Sequence, residues 1–66
     1  MVEVTKAIYI KGGYGFEYRV LSEGENITVF AKETEEEFDY DSPLLYLSKE
    51  EARALSRALG ELANGY

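Results

Sequence analysis

The side chains with most chemical potential in this sequence are carboxylates, and they are crowded together. The window 33–41, ETEEEFDYD, carries Glu33, Glu35, Glu36, Glu37, Asp39 and Asp41 with no base among them, and Phe38 and Tyr40 are interleaved. The 66 residues hold 13 acids and 7 bases, a formal net charge of −6. Taking the six acids of the window from the thirteen leaves seven, which the seven bases balance. The net charge therefore belongs to one nine-residue segment on an otherwise neutral chain. Crowded like charges oppose compaction, so such a run is either a solvated loop or a surface kept for a basic partner.

Three chemistries can be set against that segment. The chain has no histidine and no cysteine, so Ser–His and Cys–His nucleophilic machinery is absent within it. A carboxylate pair, Glu37 with Asp39 or Asp41, would need a pocket that drives the two pKa values apart. One thin layer of secondary structure gives little room for it, and the chain is expected not to be an enzyme. Oxygen ligands for a cation are present over 35–41. The central glycine and terminal glutamate of a helix-loop-helix calcium loop are not, so neither a dedicated metal site nor a cofactor is expected.

The third chemistry is recognition. On a strand, Glu37, Asp39 and Asp41 would stand about 6.6–6.8 Å apart on one side. That is about two phosphate steps along one DNA strand. Carboxylates at that pitch could enter a basic groove built for nucleic acid, with Phe38 or Tyr40 as an apolar anchor. Small acidic inhibitors of restriction, repair or CRISPR effectors are similar in size and charge, a likeness of composition rather than of motif. The leading expectation is a small acidic protein-interaction module, in its sharpest form a DNA-mimic inhibitor. Its contact residues would be Glu33, Glu35, Glu36, Glu37, Phe38, Asp39, Tyr40 and Asp41.

A second feature points elsewhere. Lys11-Gly12 followed by Tyr14-Gly15-Phe16, in KGGYGFEY, resembles the K-G-(Y/F)-G-(F/Y) stretch of RNA-recognition motifs and cold-shock domains over about eight residues. The resemblance implies aromatics that stack on single-stranded bases, here Tyr14, Phe16 and Tyr18. Gly13 is an insertion in that pattern, and Glu17 stands where an apolar residue is usual. A single-stranded nucleic-acid-binding domain is the alternative reading. A small homodimeric structural protein that completes its core across a two-fold axis is another.

The elements that must position these groups follow from periodicity. Residues 2–11 alternate, with Val2, Val4, Ile8 and Ile10 on one parity, as a half-buried strand does. Gly12-Gly13 suits a tight hairpin turn. Residues 14–21 alternate again, with Phe16, Tyr18 and Val20 on the inward side. Ser22–Asn26 is turn chemistry. Residues 27–33 form a third strand with Ile27, Val29 and Ala31 inward and Thr28, Phe30 and Lys32 outward. The acidic segment is an edge strand or a loop, and a short strand fits somewhere within 37–47.

Ser48 with Glu51 is a capping box. It opens a helix over 49–64 with Ala52, Leu55, Leu59 and Leu62 at spacings of three and four, an apolar stripe expected to be core. The fold class is therefore α+β: a three- or four-stranded antiparallel meander with one C-terminal helix packed on one face, a single small domain over 1–66. No apolar run is long enough to span a membrane. The start, MVEVTK, lacks the basic and then apolar character of a signal peptide, and a cysteine-free chain suits the cytoplasm, where the protein is expected to act.

Overall fold

A computed structural model of the chain describes residues 6–65. Four strands form one antiparallel sheet in meander order: β1 (Lys6–Lys11), β2 (Phe16–Glu23), β3 (Asn26–Glu33) and β4 (Leu45–Ser48). The helix α1 (Lys49–Ala63) follows β4 without a break. The architecture is the α+β meander that the periodicity implies. Positions 2–5 of the first strand lie outside the described residues, and the short strand sought within 37–47 forms at Leu45–Ser48.

The two hairpins differ in how glycine makes them. Between β2 and β3 the turn is two residues, and Gly24 takes φ +58°, the sign a type II′ turn requires at its first central position. Between β1 and β2 the loop is longer than a Gly12-Gly13 turn. The positive φ, +82°, falls on Gly15, β2 begins at Phe16 rather than Tyr14, and Tyr14 stands 96% exposed at the tip. Gly12 is needed for a different reason. Its N–H donates to the Phe16 carbonyl at 2.8 Å, and a Cβ there would also lie 2.8 Å from that oxygen.

Register sorts the side chains onto two faces. Ile8 stands opposite Val20, Ile10 opposite Tyr18, Val20 opposite Val29 and Ile27 opposite Leu47, which makes one aliphatic face. Tyr9 and Phe30 flank Arg19 from the two neighbouring strands, Glu17 faces Lys32 and Thr28 faces Tyr46, which makes a mixed face. The inward parity read from the sequence is the aliphatic one. The buried positions are instead on the mixed face: Phe30 at 4% exposure, Thr28 at 6% and Glu17 at 7%.

Two packing facts account for this reversal. The segment 34–44 folds back across the mixed face and returns to the sheet where the Leu44 N–H donates to the Val29 carbonyl at 2.8 Å. On the aliphatic face, α1 rests on β4 and β3 alone. Ala52 and Leu55 are half-buried there, no residue of α1 is buried, and everything from Ser56 to Ala63 is exposed. The apolar stripe of the helix is thus only partly core. Its start does follow the sequence: the Glu51 N–H donates to Ser48 Oγ at 3.1 Å and the Ser48 N–H donates to Glu51 Oε1 at 3.0 Å. Hydrogen bonding to the ionised carboxylate, from the Ser48 backbone N–H first and the Ser48 side chain second, holds the Glu51 pKa below its ordinary value.

Candidate interaction site: the acidic loop and its aromatic floor

The acidic segment is a turn-rich loop, not a strand. Its entry is fixed where the Thr34 N–H donates to the Gly15 carbonyl at 2.9 Å. A first turn closes with the Glu36 N–H donating to the Glu33 carbonyl at 3.0 Å, and Glu36 Oε1 accepts the Glu33 N–H in return at 3.3 Å. A second turn closes at 39–42. Asp39 Oδ1 accepts the Asp41 N–H at 3.0 Å, and the Ser42 N–H donates to the Asp39 carbonyl at 3.2 Å. This is the backbone mimicry that makes Asp a turn residue.

Phe38, between the two turns, and Tyr40, within the second, point down onto the sheet. The Phe38 and Tyr40 rings stack at 5.9 Å between centroids. Phe38 meets Tyr9 edge-on at 6.5 Å, and Tyr40 meets Phe30 edge-on at 5.0 Å. Both geometries suit the ring quadrupoles. The Tyr40 hydroxyl accepts a hydrogen bond from Arg19 Nη1, while Arg19 Nε is buried with no partner among the described residues.

Lys32 ties the floor to the loop. Its Nζ lies 3.0 Å from Glu17 Oε2, donates to the carbonyls of Glu33 and Thr34 at 3.3 and 3.2 Å, and sits 5.3 Å from the Phe38 centroid. One ammonium therefore compensates the buried Glu17, satisfies two loop carbonyls and makes a cation–π contact. Lys32, Glu17 and Arg19 were not among the site residues singled out from the sequence. The signal for them is the turn: a two-residue connection at Gly24-Glu25 pairs Glu23 with Asn26, and counting outward from there puts Glu17 opposite Lys32.

The structure separates the six acids into two groups, all of them exposed. The carboxylates of Glu36 and Asp39 bond the loop's own backbone. Those of Glu33, Glu35, Glu37 and Asp41 make no hydrogen bond or ion pair among the described residues. The two turns break the strand-like pitch between Glu37, Asp39 and Asp41, so the charge is spread over a curved surface instead of a straight row. Of the two aromatics, Phe38 is half-buried and Tyr40 keeps 49% of its surface in solvent. Among the described residues no cluster of three or more potential metal ligands occurs.

The aromatics that would serve a nucleic-acid surface are arranged otherwise. Tyr14 is at the hairpin tip, while Phe16 and Tyr18 are on the aliphatic face, where Phe16 pairs with Glu33. Tyr14, Gly15 and Phe16 share a shallow cleft with Glu33, Thr34 and Glu35. The carboxylates in that cleft repel a phosphate backbone. No described helix is long and apolar enough to cross a membrane. No protein-family model matches the chain, and no curated protein or solved structure shows significant similarity to it.

Proposed function

We propose that the protein is a small acidic, non-enzymatic interaction module of the cytoplasm that docks its 33–41 loop on a basic surface of another protein. The observation that carries this reading is the division of labour in the loop. Phe38, Tyr40, Glu36 and Asp39 hold its shape, and Glu33, Glu35, Glu37 and Asp41 are left to solvent. A loop already fixed in shape loses little conformational entropy on binding. Four unpaired carboxylates on it steer a cationic partner and raise the association rate. The exposed part of Tyr40 is the apolar contact at the centre of that charge.

The sharpest version has a nucleic-acid-binding protein as the partner, its phosphate-binding groove occupied by the loop in place of nucleic acid. The test is capture from lysate by immobilised wild-type protein and by the quadruple variant Glu33→Gln, Glu35→Gln, Glu37→Gln, Asp41→Asn. A partner held at about 50 mM salt, released near 0.5 M and absent from the variant fits the proposal. Displacement of that partner's nucleic acid by the wild-type protein identifies the DNA-mimic version. A partner retained equally by both proteins, or equally at both salt concentrations, rejects the acidic loop as the contact.

A further inference from the structure

We infer that α1 and the start of β3 form a docking groove for an acidic segment of a partner protein, bound extended with a carboxylate at every second residue. The groove is open, has a volume of about 610 Å³, and is lined by Ile27, Lys49, Ala52, Arg53, Ser56 and Arg57. Its size is that of sites that hold drug-sized ligands. Three of the seven bases of the chain line it and no acid does. On a chain of net charge −6 this is a local reversal of sign.

The three bases have no partner within the fold. Lys32 bonds Glu17 and Arg19 bonds Tyr40, but Lys49, Arg53 and Arg57 make no ion pair and donate no side-chain hydrogen bond among the described residues. The acids closest in sequence leave them so. Glu51 accepts the Ser48 N–H, and Glu61 follows Arg57 by four residues, the weaker order for a helical ion pair. The 33–41 acids are on the far side of the sheet. Ile27 stands opposite Leu47 on the aliphatic face, whereas the acidic loop crosses the face of Phe30.

Pitch identifies the occupant. Lys49, Arg53 and Arg57 follow one another at intervals of four on a single ridge of the helix, about 6 Å apart along its axis and about 12 Å from first to last. Alternate side chains of an extended peptide stand about 6.6–6.8 Å apart on one side. The small difference is within the reach of long, flexible basic side chains, so three alternate carboxylates meet the three cations in turn. The two arginines can grip theirs with paired hydrogen bonds. Beneath the bases, the half-buried Ile27 and Ala52 give an apolar floor that takes an aliphatic side chain of the same segment.

The ends of the groove favour a short acidic segment over a long polyanion. Glu25 and Glu50 line the cleft that continues past Lys49 and Arg53. Glu61 continues the ridge one turn beyond Arg57. A nucleic-acid strand, charged along its whole length, would run onto these carboxylates. A segment of about five residues ends before it reaches them.

Fluorescence anisotropy tests the groove with a labelled peptide that carries aspartate at three alternate positions and leucine between them. The wild-type protein should bind it, and more weakly at about 0.5 M than at about 50 mM salt. Arg53→Gln with Arg57→Gln should lower the affinity at least about tenfold, the usual effect of losing hydrogen bonds to a charged group. Both positions are exposed and glutamine is a good helix former, so helical circular dichroism should not change. Asparagine in place of the peptide's aspartates should weaken binding to the unaltered protein by a similar factor. A peptide that fails to bind at about 1 mM, or that binds the double variant as well as the wild type, overturns the inference. Tighter binding of single-stranded oligothymidylate also overturns it, and makes the groove a phosphate site. So does self-association of the wild type that the double variant loses, which would seat a second copy's acidic loop there. The probe is acidic and reads the groove rather than the loop, so its failure leaves the salt-dependent capture test standing.

Discussion

Lys32 stands directly across the β2–β3 ladder from Glu17, with its Nζ 3.0 Å from Glu17 Oε2 and the ring of Phe38 above it. Both side chains are close to buried, at 12% and 9% exposure. Neither charge is therefore well solvated alone, and each depends on the other.

Removing one member of that pair should cost more than removing both. Lys32→Met leaves the Glu17 carboxylate buried without its cation and frees the carbonyls of Glu33 and Thr34. A loss of about 3 kcal/mol is expected, by the usual cost of an orphaned buried charge. The double variant Glu17→Leu, Lys32→Met should recover most of it, because no charge then remains in the dry site. Urea denaturation of the wild type, both single variants and the double measures the coupling. Additive single effects would show that the pair is solvated in solution.

The helix start should give stability a specific acid dependence. Glu51 accepts the Ser48 N–H, and this bond holds its folded pKa below the ordinary 4.5. A folded pKa lower than the unfolded one means that folding favours the ionised form. The contribution is complete above 4.5 and is lost as pH falls through the lowered folded value. Glu51→Gln keeps a side chain able to accept the bond but does not titrate. Helical circular dichroism followed from neutral to acid pH should therefore fall more steeply for the wild type than for Glu51→Gln. Parallel curves would rule out the cap as the titrating group. Ser48→Ala should cost about 1 kcal/mol at neutral pH.

The first hairpin should tell apart two glycines that look alike in sequence. A methyl group at Gly12 would meet the Phe16 carbonyl oxygen at 2.8 Å, whereas nothing lies within 4 Å of one at Gly13. Gly12→Ala should lower stability by about 1–3 kcal/mol, since the obstacle is backbone and must move. Gly13→Ala should change it little. Thermal melts of the two variants decide, and equal melting temperatures would contradict this close approach.

Much of the fold is legible in the residue pattern, and the part that is not has a physical cause. The strands, the turn at Gly24 and the capping box each follow from local chemistry: alternation, a positive φ, and Ser48 with Glu51 three residues on. Which face becomes core is not local. Thr28, Phe30 and Lys32 read as a solvent face because a period-two pattern scores Lys32 as polar. It cannot see that Glu17 neutralises Lys32 across the ladder, or that Phe38 and Tyr40 return over both. The helix shows the converse. Its apolar stripe is plain in the sequence, but the partner of that stripe is not: within the stripe only Ala52 and Leu55 are even half-buried, and Leu59 and Leu62 stay exposed. In the acidic loop the clustering of charge is visible at once. The distinction between Glu36 and Asp39, which make turns, and Glu37 and Asp41, which do not, depends on backbone N–H groups that only a folded chain brings near.

That distinction yields the last prediction, which concerns stability rather than binding. Glu33, Glu35, Glu37 and Asp41 repel one another and hold no bond among the described residues, so the folded chain gains nothing from their charge. Neutralising all four should therefore raise the urea midpoint at low salt. The gain should shrink as salt screens the repulsion in the wild type, over a range where the Debye length falls from about 30 Å to about 8 Å. Glu36→Gln with Asp39→Ala removes two charges from the same segment and should do the opposite. Asp39→Ala takes away the acceptor of the Asp41 N–H, and the second turn loosens beneath Tyr40. Urea midpoints at two salt concentrations separate the two sets, and equal shifts would show that charge alone sets the effect of every acid in the loop. A stability gain in the first set means that the native residues are kept at a thermodynamic disadvantage. Residues that weaken their own fold are typical of a binding surface, where selection acts on the partner contact and tolerates the cost to stability.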